Sequence, residues 1–98
     1  MSNPTQASFL NKVPNQVGYL VISEEGAVLQ SSGELQNQDR LAGIIFKMVH
    51  VANSNAVSGD PIKRMTIHFD KHFYAVTLSS KKIFVVKRRN EPIEPLIP

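Results

Sequence analysis

Val17-Gly18-Tyr19-Leu20-Val21-Ile22-Ser23 carries β-branched, aromatic or aliphatic side chains at almost every position, with no polar residue between Val17 and Ile22. A strand built this way needs cover on both faces and therefore belongs in the interior of a sheet. A second run of the same kind, Lys82 to Arg88, places Ile83, Phe84, Val85 and Val86 in succession. These two runs are the central strands, and the remaining strands add outward from them. Glu24, Glu25 and Gly26 read as a hairpin loop, with Gly26 free to take a positive φ, and Ala27 to Ser32 returns beside the first strand. From Ile62 to Asp70, Met65, Ile67 and Phe69 alternate with Arg64, Thr66 and His68, the pattern of a strand buried on one face at an edge. His72 to Ser80 alternates again and joins that strand to Lys82 to Arg88. With the first and fifth strands in the middle, the economical arrangement is a five-stranded antiparallel sheet in the order 2-1-5-4-3.

Between the second and third strands, Gly33 to Gln36 breaks the strand pattern, Asn37 is placed to cap a helix, and Asp39 falls in its first turn. The helix is expected from about Gln38 to Ala52, followed by a loop over Asn53 to Pro61. Leu41, Ile44, Ile45, Met48, Val49 and Ala52 recur at spacings of three and four and are assigned to the stripe facing the sheet. At about 100° per residue, Ala42 falls about 100° and Phe46 about 140° from Leu41, which puts both on a wet flank. The expected class is thus α+β, with one long helix on one face. Residues 1–13 form an N-terminal segment that allows a short helix, residues 14–89 the domain, and residues 90–98 a Pro-rich extended tail. The second sheet face has only these terminal segments to cover it.

A chain of 98 residues holds one core, so a multidomain enzyme is excluded. Hydrophobic residues make up 42% and charged residues 19%, a balance that supports folding rather than disorder. The absence of cysteine removes disulfides, thiolate metal sites, thiol catalysis and thiol lipidation. Ser2 follows the initiator where myristoylation requires glycine, and no run approaches the roughly 18 apolar residues of a membrane span. Membrane attachment would come through another chain. No catalytic, cofactor-binding or metal-binding residues are assigned. His68, Asp70 and His72 alternate as strand ligands would, but Asp70 and Lys71 read as a turn that separates their faces. No Gly-x-Ser-x-Gly elbow and no phosphate-binding glycine loop is present. Lys81, Lys82, Lys87, Arg88 and Arg89 flank Phe84, a pattern open to nucleic acid, to an acidic protein segment or to an anionic membrane surface. Strand-end lysines in solvent are the simpler reading, and no nucleic acid partner is assigned.

What remains is association. An apolar helix flank, an open strand edge and a thinly covered sheet face are features that a partner would bury together. The candidate partner-binding residues are Ala42, Phe46, Val49 and His50 on the helix, with Ile62, Arg64, Thr66 and His68 on the edge strand.

Pro14, Gln16, Gly18 to Val21 and Ser23, then Val28, Leu29, Ser31, Ser32 and Gly33, and finally Phe84 to Arg88 with Asn90 resemble the family of the fourth small subunit of the Ragulator complex. That complex is the late endosomal and lysosomal adaptor, MAPK and mTOR activator. The resemblance implies a roadblock/longin-like fold and a non-catalytic scaffold at the cytoplasmic face of the lysosome. It also implies pairing with another roadblock-type chain, the fifth Ragulator subunit. A lipidated first subunit would anchor the pair, and Rag GTPases would be recruited by the assembly to signal amino-acid sufficiency to the target-of-rapamycin complex. A homodimeric roadblock regulator of a small GTPase and a small basic nucleic-acid binder are the alternatives. On the helix phase given above, Phe46→Asp is expected to abolish assembly and spare the fold, whereas substitution of Met65 or Ile67 is expected to destabilise it.

Overall fold

The computed structural model describes residues 15–54 and 61–90. Along the chain run β1 (Gln16–Ser23), β2 (Val28–Gly33), α1 (Asp39–Ser54), β3 (Arg64–His68), β4 (His72–Ser79) and β5 (Lys82–Arg89). The strands form one sheet in the order β2-β1-β5-β4-β3, with every neighbouring pair antiparallel. This is the order expected from the two doubly apolar runs. The helix runs on through Asn53 and Ser54, which the sequence reading placed in the following loop. The edge strand is correspondingly shorter than the Ile62 to Asp70 expected for it.

Register sets the two faces. Leu20 lies opposite Val85 and Ile22 opposite Ile83, and these residues face α1. They form the main core with Val76 and with Ala42, Ile45 and Val49 of the helix. Leu35, from the turn between β2 and α1, is also fully buried there. On the other face Tyr19 lies opposite Val86 and Val21 opposite Phe84. This face is not thinly covered: Val21, Phe84 and Val86 are all buried, with Tyr19 packed against them. The N-terminal segment and the tail, to which that cover was assigned, lie outside the described residues.

The turns have local causes. Ser23 Oγ accepts hydrogen bonds from the backbone N–H groups of Glu25 (3.2 Å) and Ala27 (3.0 Å), and Gly26 takes φ 95°. At the start of α1, the carbonyl of Gln38 accepts the first helical bond, from Ala42 N–H at 3.0 Å. Asn37 is not the cap; it takes the left-handed backbone, φ 60°, that the preceding turn requires. That turn is pressed against β1. A Cβ on Gly18 would lie 2.7 Å from both the Ser32 carbonyl oxygen and the Glu34 nitrogen.

Gly18→Ala therefore forces backbone apart at the Gly33 end of the β1–β2 pair. The expected loss of stability is about 2–3 kcal/mol, read as a lower urea midpoint with an unchanged slope.

Candidate interface on the helix and the edge strand

The buried side of α1 is Ala42, Ile45 and Val49. Its centre lies about 60° round the helix from the stripe expected from the sequence. Ala42, assigned to a wet flank, is 1% exposed, and Val49 is buried beside it. Conversely Ile44 and Met48, assigned to the core, are 48% and 38% exposed, and Val51 is 60% exposed. The helix is apolar round more than half its circumference, so periodicity alone leaves its rotation ambiguous. Side-chain size decides it, because Ala42 lets the helix axis approach the sheet where a larger residue would hold it away. Phe46 is half-buried against the main core. Its ring also leans on the β1–β2 hairpin, where a Cβ on Gly26 would lie 3.3 Å from two ring carbons.

Ile44, Met48 and Val51 follow each other at spacings of four and three, which lines them along one helix flank. Together with Ala52, Lys47 and Met65 of β3 they line a shallow, almost wholly apolar groove of about 510 Å³. The groove thus runs from the helix to the outer strand of the sheet. β3 pairs only with β4, and no other described strand lies along its outer backbone edge. Apolar helix surface and open hydrogen-bonding groups meet along this line.

The other expected contacts are dispersed. His50 is exposed with its ring centroid 4.5 Å from that of Phe46, on the flank opposite the groove. Ile62 precedes β3 rather than belonging to it, and its N–H donates to Asn53 Oδ1 at 2.7 Å. Arg64, Thr66 and His68 are exposed on β3, alternating with Met65 and Ile67, which pack on the core. They therefore face away from α1. His68 stacks on Phe73 at 5.0 Å, while His72 stacks on Phe69 at 5.0 Å from the opposite face of β4, so the two histidines diverge. No group of three potential metal ligands occurs among the described residues, and no helix there is long and apolar enough to cross a membrane.

The basic run around β5 is divided by the alternation of the strand. Lys87 Nζ donates to Glu34 Oε1 at 2.9 Å, and Arg89 Nη2 lies 3.9 Å from Glu34 Oε2. The hydrogen bond and charge of Lys87, helped by Arg89, hold the Glu34 carboxyl below its ordinary value of 4.5. Arg88 points the other way, 5.2 Å over the ring of Phe73.

These features define a class. MglB of Myxococcus xanthus superposes with a TM-score of 0.75 at 20% identity, covering 88% of this chain and 74% of that one. A roadblock/LC7 domain from Streptomyces avermitilis gives 0.74 at 17% identity, covering 87% and 75%. The fold is that of the roadblock/LC7 domains. No family model matches the chain, but whole-length relatives do. It is 51% identical over 94 residues to the Ragulator complex protein LAMTOR4 of Xenopus tropicalis, spanning 94% of this chain and 95% of that protein. It is 50% identical to LAMTOR4 of Danio rerio, over 90% and 91% of the two chains. The chain belongs to the LAMTOR4 family of Ragulator complex proteins.

Because Phe46 packs on the core, Phe46→Asp should destabilise the isolated chain by about 2 kcal/mol or more, seen in thermal melting. This reverses the expectation drawn from the sequence. Glu34 has a folded-state pKa below its unfolded value, so its pairing adds stability above pH 4.5 that fades as the pH falls through the folded value. The melting temperatures of wild type and Glu34→Gln should differ at neutral pH, converge in acid, and converge at neutral pH in 1 M salt, since Glu34 is half exposed.

Proposed function

We propose that this chain is a non-catalytic scaffold subunit that pairs with a second roadblock-type chain, the fifth Ragulator subunit. The observation that carries this reading is the groove of Ile44, Met48, Val51 and Met65 beside the open edge of β3. A second domain of the same class could extend the sheet across that edge and cover the exposed helix flank in one step. Fully burying an aliphatic side chain contributes about 1.5–3 kcal/mol, so three half-exposed ones contribute roughly 2–4 kcal/mol before the edge bonds are made. Arg64, Thr66 and His68, on the far side of the same strand, would flank the joined sheets. A lipidated first subunit would then hold the pair at the cytoplasmic face of the late endosome or lysosome. In that place the assembly would recruit Rag GTPases and support amino-acid signalling to the target-of-rapamycin complex. The relatives' names supply the Ragulator membership on which these steps rest.

Co-expression with the fifth Ragulator subunit should give a 1:1 complex in sedimentation. Ile44→Asp combined with Val51→Asp should abolish it while the isolated chain keeps its melting temperature, since both side chains are exposed. A chain that forms a stable homodimer and ignores that subunit would sink the proposed pairing.

A further inference from the structure

We infer that a second docking site lies on the opposite flank of α1, where an acidic protein segment with an apolar anchor residue would bind. A cavity of about 400 Å³ opens there, between the C-terminal half of the helix, the segment leading into β3, and the β4–β5 turn. Its volume falls within the usual range of ligand pockets. Phe46, Val49, Leu78 and Ile83 supply an apolar floor, and Lys63 and Lys81 line its rim with the backbone of Lys82 beside them, the Lys82 side chain sharing the far face of β5 with Phe84. Glu24 is the one carboxylate among the described lining residues. The ion pairs among the described residues join Glu34 to Lys87 and Arg89, and the two rim lysines enter none.

The rim is held in place by backbone. Asn53 Oδ1 accepts the Ile62 N–H at 2.7 Å, and the Lys63 carbonyl accepts the Leu78 N–H at 2.9 Å, which ties the approach to β3 to both the helix and β4. Ser79 pairs with Lys82, leaving Ser80 and Lys81 as a two-residue turn. Both take left-handed backbone, φ 53° and 61°, in a turn whose usual residues are Asn and Gly. A side chain at such a position costs about 1–2 kcal/mol, and the structure retains it at the turn that brings Lys81 to the cavity.

The chemistry favours one occupant. An apolar floor under a cationic rim matches a short peptide whose Asp or Glu residues alternate with a Leu or similar anchor. Inorganic phosphate or a headgroup at a vesicle surface would satisfy the lysines and leave the floor wet. His50 and Phe46 stand on this flank and Ile44, Met48 and Val51 on the other, so this site can be filled while the β3 groove is occupied.

The test uses the full chain and a fluorescent peptide of alternating Leu and Glu, with an alternating Leu and Gln peptide as control. The acidic peptide should bind at least tenfold more tightly than the control and weaken as salt rises. Methyl resonances of Leu78 and Ile83 should shift, and those of Ile44 and Val51 should not. Lys63→Glu and Lys81→Glu, in separate segments, should each cut the affinity by fivefold or more, while Lys47→Glu on the groove side should leave it unchanged. Equal binding of the two peptides, or indifference to both lysine substitutions, overturns the proposal. So does phosphate or a phosphatidylserine vesicle that competes at the same lysines without shifting the floor methyls. Repeating the titration with the Ile44→Asp and Val51→Asp chain separates the two readings, because loss of pairing there leaves peptide binding intact.

Discussion

A single helix lying on a single sheet can bury only about half of its circumference, and α1 is apolar round more than half. The rest of the molecule is organised by that mismatch. Ala42, Ile45 and Val49 take the sheet side and close the main core with Leu20, Ile22, Val76 and Val85. Ile44, Met48 and Val51 are then left on the flank nearest β3, and no rotation of the helix would bury both sets. Turning α1 to cover Ile44 would expose Val49. The exposed residues are thus a consequence of architecture, and a second chain is the economical way to cover them.

The order of the sheet was legible because the two central strands are apolar on both faces and the others on one. That distinction survives without any knowledge of side-chain packing. The rotation of α1 was not legible for the opposite reason. A hydrophobic arc wider than the contact has no sharp centre, so a stripe can be drawn through Leu41, Ile44 and Met48 as readily as through Ala42, Ile45 and Val49. What decides between them is shape: the small Ala42 at the closest approach, and Phe46 reaching the β1–β2 hairpin beside Gly26. Leu35 is buried although it sits in a turn, among Gly33, Glu34 and Gln36, where periodicity carries no signal of burial. Gly18 carried the missing signal. Its lack of a Cβ in a strand otherwise made of large residues marks the place where the turn presses against β1.

The same ambiguity explains why the expected interface residues are dispersed over the two elements that were to carry them. Helix and edge strand lie together, and the groove between them is lined by Met48 and Met65, whereas Ala42 is buried and Ile62 precedes the strand. An alternating strand offers one face to its own core, so Arg64, Thr66 and His68 are carried to the side away from the helix. Residues adjacent in the reading were therefore on opposite sides of the sheet.

The sheet has two outer strands, and the structure distinguishes them. β2 is irregularly paired with β1, with a shift in register between Val21 and Ile22, and its exposed Leu29 stands apart from the apolar flank of the helix. A bulge twists an edge and makes it a poor template for another strand. β3 pairs with β4 in unbroken register from Arg64 to His68 and has Met65 in the groove. Straight backbone alone would invite any extended chain, and an apolar groove alone would bind without fixing an orientation. In the proposed pairing, their coincidence on β3 would set both the energy and the register of association. A partner that lacks either an edge strand or an apolar helix flank would satisfy only half of it, which is why the proposed pairing calls for another domain built the same way.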